Sequence, residues 1–208
     1  MSAELKAVDS LELSAEDQAR ARFYALIGRL FYGASDSDLL EAIGRERGSV
    51  DADAGDSTAA LAQPWQMLQK ACRHANLAVI GQEHDSLFIG VGRAEVTPYT
   101  SHYVATDAAD RHLVALRQQL AAWGLMRRNM VFEMEDHISG VCDVMRFLIE
   151  QDFPPAEQRL FFERFVFPGT IRFCDALTAA PSADFYKVVS LFVRAFLEVE
   201  KAAFEMIE

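Results

Sequence analysis

Long uncharged apolar runs are missing from this sequence: nowhere do about 18 such residues follow one another, as a membrane-spanning helix would need. The stretch from Met1 to Asp17 is acidic and polar, without the basic start and apolar core of a signal peptide, so the chain is expected to stay in the cytoplasm. Cysteine is scarce. Cys72, Cys142 and Cys174 are odd in number and far apart, which excludes a disulfide framework and a Cys-x-x-Cys pair and suits three buried fillers in a reducing compartment. Positive charge is short as well. Lys and Arg number 20 against 31 Asp and Glu, a formal charge of −11, which argues against nucleic acid and favours a cationic partner. Sustained period-2 alternation and repeats of fixed period are also absent, leaving no signal for strands or a solenoid.

What is present is helical periodicity, and a hydrophobic content of 51% is ample for a core. Ser14 with Asp17 resembles a capping box, and Phe23, Leu26, Ile27, Leu30 and Phe31 then share one helical face. Ser35 to Ile43 reads as a short helix. Pro64 suits the first turn of a helix carrying Trp65, Leu68 and Cys72, and another helix is expected from Leu77 to Phe88. Leu113, Leu116, Leu120 and Trp123 form a further stripe that Gly124 would cap. Asp136 opens a helix with Ile138, Val141, Met145 and Leu148 inward, stopped by Pro154 and Pro155. Segments from Ala156 to Phe167 and on to Ala179, then a long helix from Ser182, complete the chain. The expectation is one all-α domain over 1–208 with eight or nine helices, a flexible N-terminus at 1–13 and a mobile loop at 45–58.

Common catalytic arrangements are not matched. None of the five histidines has an acidic residue three positions before it, so a di-iron carboxylate bundle is excluded. Gly90-Val91-Gly92 lacks a third glycine, a Lys-Ser/Thr pair and a preceding strand, so it reads as a turn rather than a phosphate cradle. His84-Asp85 leaves open a helical His-Asp metal phosphohydrolase that would draw on His74 and Asp136. A helical scaffold binding a folded partner is the other alternative.

Two segments escape periodicity. One runs from Leu87-Phe88-Ile89-Gly90-Val91-Gly92 to Pro98-Tyr99-Thr100-Ser101-His102-Tyr103, and the other is Glu133-Met134-Glu135-Asp136-His137. Their arrangement resembles the TorD/DmsD/NarJ family of molybdoenzyme maturation chaperones. In that family Leu-Phe-x-Gly-x-Gly leads to Pro-aromatic-x-Ser-x-Tyr, and a Glu-x-x-Asp-His element then opens a core helix. LFIGVG, PYTSHY and EMEDHI reproduce the pattern, and FFERFVFPGTIRF with FYKVVSLFVRAFLEVE continue it, so the likeness spans roughly Phe23 to Glu200. Two positions depart from it. Gly169 stands where the family often has Trp, and His84 where some members carry a bulky residue.

The resemblance implies a TorD-like cytoplasmic chaperone of anaerobic respiration, with no catalytic residue, metal or cofactor of its own, as a monomer or domain-swapped homodimer. Its partner would be the precursor of a molybdopterin-containing oxidoreductase subunit, held by its twin-arginine leader while cofactor is inserted and export is delayed. Such a leader needs carboxylates for its guanidiniums and a groove for its apolar stretch. Glu133, Glu135 and Asp136 are the expected carboxylates. Leu87, Phe88, Pro98 and Tyr99 are the expected walls, with Ser101 and Tyr103 on the same loop. His137 is expected to bond peptide backbone or fix the Asp136 rotamer. Two plainer roles stay open: Asp136 as a helix cap, and Leu87 and Phe88 as core.

Overall fold

The computed structural model describes residues 13–46, 55–90, 94–104, 109–125 and 134–206. Within them lie α1 (Ala15–Tyr32), α2 (Ser37–Arg45), α3 (Gly55–Arg73), α4 (Leu77–His84), α5 (Ala109–Ala122), α6 (Ile138–Glu150), α7 (Pro155–Phe161), α8 (Phe167–Ala179) and α9 (Phe185–Glu205). The only β feature among the described residues is an isolated antiparallel bridge between Tyr99 and His137. The fold is all-α, as the periodicity implies.

Local chemistry sets the helix ends. Ser14 Oγ accepts from Asp17 N at 3.0 Å, so the cap read from the sequence starts α1. Asp36 does the same for α2, accepting from Leu39 N at 2.7 Å. At the end of α5, Leu125 N reaches back to Leu120 O at 2.9 Å around Gly124.

Packing centres on α9, which lies against α1, α3, α4 and α8, while α6 lies along α1. Phe192 and Phe196 of α9 meet Phe23 at ring separations of 5.6 and 5.4 Å, and Trp65 of α3 closes on Phe192 at 5.3 Å. One ion pair is folded into this contact. Glu200, 2% exposed, accepts from Arg20 Nε at 2.8 Å, from Arg20 Nη2 at 3.1 Å and from Tyr24 OH at 3.0 Å. Burial works against the Arg20 charge, but the bonds and charge of Glu200 overcome it and hold the guanidinium above its usual range.

Several boundaries differ from the expectations. The helix begun by α3 starts at Gly55, so Pro64 lies inside it rather than in its first turn. A proline there forfeits one backbone bond at about 3 kcal/mol, which burying Leu61, Trp65 and Leu68 on either side, at about 1.5–3 kcal/mol each, more than offsets. The expected loop at 45–58 is therefore shorter at both ends, since α2 runs to Arg45; residues 47–54 and 1–12 lie outside the described residues. α6 starts at Ile138, two residues later than expected. Pro168 does not break the chain into two pieces either. A π turn at Phe162–Val166 widens the helix just before it, Phe167 N donates to Phe162 O, and Pro168 enters α8 at a position that needs no donor.

Candidate peptide-binding site

The Pro98-to-Tyr103 segment and the start of α6 are stitched together by backbone. Thr100 N donates to Asp136 O at 2.8 Å and Ile138 N to Pro98 O at 2.9 Å, the two bonds of the Tyr99–His137 bridge. The Tyr99 and His137 rings meet edge to face at 5.2 Å. Two motifs some 36 residues apart in sequence thus form one structural unit.

Asp136 is the centre of this unit and is 0% exposed. Ser101 Oγ donates to its Oδ2, while its Oδ1 is buried with no hydrogen-bond partner among the described residues. Asp136 does not cap α6. His137 does, accepting at Nδ1 from Ser139 N at 3.2 Å, with Ser139 Oγ 2.6 Å from the same nitrogen. Glu135, half-buried, pairs with Arg117 of α5 at 3.0 Å. His112, also on α5, has a buried Nε2 without a hydrogen-bond partner among the described residues; burial lowers its pKa, the charge of Asp136 acts to raise it and Arg164 acts with burial.

The apolar residues divide. Leu87 is 0% exposed and belongs to the core, so it presents no surface to a ligand. Phe88 is half-buried among Phe31, Phe173, Tyr186 and His84, with ring separations between 5.1 and 6.2 Å. Tyr103 meets the same Phe173 at 6.1 Å, so Phe173 of α8 links the two halves of the loop. Burial pushes the Tyr103 hydroxyl up to about 12. The loop between the halves turns at Gly90, whose φ of 62° and ψ of 155° lie in a region open essentially to glycine. Val96 N then returns to Leu87 O at 2.9 Å. Val91, Gly92 and Glu133 lie outside the described residues.

Gly169 proves central to this geometry. A Cβ there would stand 2.6 Å from both Cβ and O of Thr100, so the missing side chain is what lets the Thr100 turn settle on α8. The departure from the family pattern at this position tightens the packing. Glu83 is the residue sequence reasoning missed. It is 8% exposed and accepts from Asp184 N, Phe185 N and Tyr186 N at 2.9, 3.1 and 2.8 Å, capping α9 from α4. Glu95 repeats the theme nearby, accepting from Ser182 Oγ at 2.6 Å. Glu83 and Glu95, on either side of residues 85–94, are thereby tied to the turn before α9.

Among the described residues no three His, Cys, Asp or Glu side chains converge as metal ligands. His84 packs against Phe88 and Tyr186, and its Nδ1 is 3.6 Å from Asp85, while His74 is exposed. Nor is any helix of the described residues long and apolar enough to cross a membrane.

The family model for the nitrate reductase delta subunit matches residues 55–175, and the chain belongs to that family, whose members are molybdoenzyme maturation chaperones. No curated protein matches the chain.

Proposed function

We propose that this chaperone works in the cytoplasm on a molybdoenzyme catalytic subunit whose twin-arginine leader it binds at the Asp136 unit, holding the subunit while cofactor is inserted and export is delayed. The observation that carries the reading is the Asp136 carboxylate. One oxygen is held by Ser101, and the other is enclosed without a donor among the described residues. A buried carboxylate oxygen left without a donor is costly, and a guanidinium is the donor that best repays it. Asp136 is fully covered, so the arginine enters as the Tyr99–Tyr103 turn moves aside. Glu135 supplies a second carboxylate by exchanging its exposed partner Arg117 for the leader. The apolar part of the leader rests on the rim formed by Phe88, Pro98, Tyr99 and Tyr103, with His137 beneath it.

Calorimetric titration of a twin-arginine leader peptide tests this. Asp136→Asn and Ser101→Ala are expected to weaken binding at least about tenfold, a loss of about 1.4 kcal/mol, while Glu163→Gln, whose carboxylate pairs with exposed Arg159, changes nothing. Wild-type affinity in an Asp136→Asn protein that melts normally would remove Asp136 from the site.

A further inference from the structure

The stripe of α1 formed by Arg22, Ala25, Leu26, Arg29 and Tyr32 borders two half-open clefts among the described residues. One holds about 660 Å³ between α1, α2 and α3, floored by Leu39, Ile43 and Trp65, all under 5% exposed. The other holds about 450 Å³ and runs on past Ser139 to Arg146 of α6. The clefts share Ala25, Arg29 and Leu39, so they form one furrow along α1. From Ala19 to Tyr32 the furrow follows roughly 20 Å of helix, the length of about 14 residues of a second helix.

The described lining of the larger cleft is locally basic. On a protein of net charge −11, Arg22, Arg29 and Arg45 stand against Glu46 among the described residues lining the larger cleft, while Asp36 and Asp143 stand with Arg29 and Arg146 around the smaller one. Arg22 has no acidic partner among the described residues; Arg29 and Arg45 hold Asp36 and Glu41 only through exposed pairs, at 3.5 and 2.7 Å, which a new partner displaces easily. Arg22 and Arg29 sit two turns apart on one face of α1, and their guanidiniums flank an apolar floor.

The structure assigns this furrow, we infer, to an acidic amphipathic helix of another protein, with an apolar row on the floor and carboxylates two turns apart on Arg22 and Arg29. Recognition of this kind lays the apolar face of a helix in a groove and fixes its direction with charge. The surface is separate from the Asp136 unit, and the assignment does not rest on leader binding.

The test uses the full chain labelled with fluorotryptophan, because only one of its two tryptophans, Trp65, lines the furrow. Two stapled helical peptides of about 14 residues serve as probes, both with a leucine face, one flanked by Glu and the other by Lys. The Glu-flanked peptide is expected to move the Trp65 fluorine signal and leave Trp123 unchanged, with a Kd below about 100 μM. Arg22→Glu with Arg29→Glu should weaken it at least about tenfold and favour the Lys-flanked peptide, with Arg22→Gln and Arg29→Gln as the milder pair; leader binding should not change. Equal affinity for the two peptides, no movement at Trp65, or a homodimer that Leu26→Arg dissolves would each overturn the assignment.

Discussion

Gly169 and Asp136 set the terms at the scale of single residues. A methyl at Gly169 meets backbone rather than a pliable side-chain tip, so Gly169→Ala must push the Thr100 turn outward. Overpacking of this kind costs about 1–3 kcal/mol, and urea denaturation should show a lower midpoint with an unchanged slope. An unchanged midpoint would mean that the turn is free to shift. The same substitution should weaken leader binding, because Thr100 N and the Ser101 hydroxyl are bonded to Asp136 and move with the turn. The sequence identified the residues of this unit through motif resemblance. It could not show that Asp136 is enclosed or that His137 holds the cap, because both depend on a bridge to a distant turn. Gly169, where the family often has Trp, proves to be a condition of the close packing on Thr100.

Helices and their ends carry the next level. Leu87 was legible as apolar, but whether it faced a groove or the core depended on α4 continuing into a π turn, which no spacing announces. Pro64 was read as a first-turn residue and a break was expected after Phe167; apolar burial carried α3 through the first, and a π turn leads into Pro168 at the second. The start of α9 was placed near Ser182 because local signals there are weak. Its cap is Glu83, about a hundred residues earlier, and such a partner leaves no local trace. Glu83→Ala should remove a charged acceptor from three backbone donors and cost about 2 kcal/mol, read as a fall in the urea midpoint. Glu83→Gln keeps one acceptor oxygen and should lose less. Because the loop from Asp85 hangs on this joint, hydrogen exchange at Leu87 and Val96 should quicken in Glu83→Ala before exchange in α6 does.

For the whole molecule, the all-α class and most helices followed from periodicity, since burial on one helical face is a local pattern; the tertiary ties did not. Protonation reports on those ties. Burial raises the Tyr24 hydroxyl and the Cys142 thiol well above their usual ranges, and pushes Tyr186, Cys72 and Cys174 up to about 12. These groups lose their protons first in the unfolded chain, so the stability they contribute is complete below its thiol and phenol pKa values. It falls as pH rises from about 9 towards 12, by about 1.4 kcal/mol per pH unit for each group titrating in the unfolded chain alone. Circular dichroism against pH should show a helical signal flat from neutrality to about pH 9, then cooperative loss before pH 12. Retention of full helicity above pH 12 would contradict the enclosed core described here.

The reading of this chaperone as a leader receptor turns on whether its covered carboxylate selects a planar, two-pronged cation. The most direct measurement is calorimetric titration of the intact chain with one leader peptide in two versions, Arg-Arg and Lys-Lys. Lysine keeps the charge but cannot make paired parallel bonds to a carboxylate, so the exchange should weaken binding at least about tenfold. Equal affinities for the two versions would contradict the account.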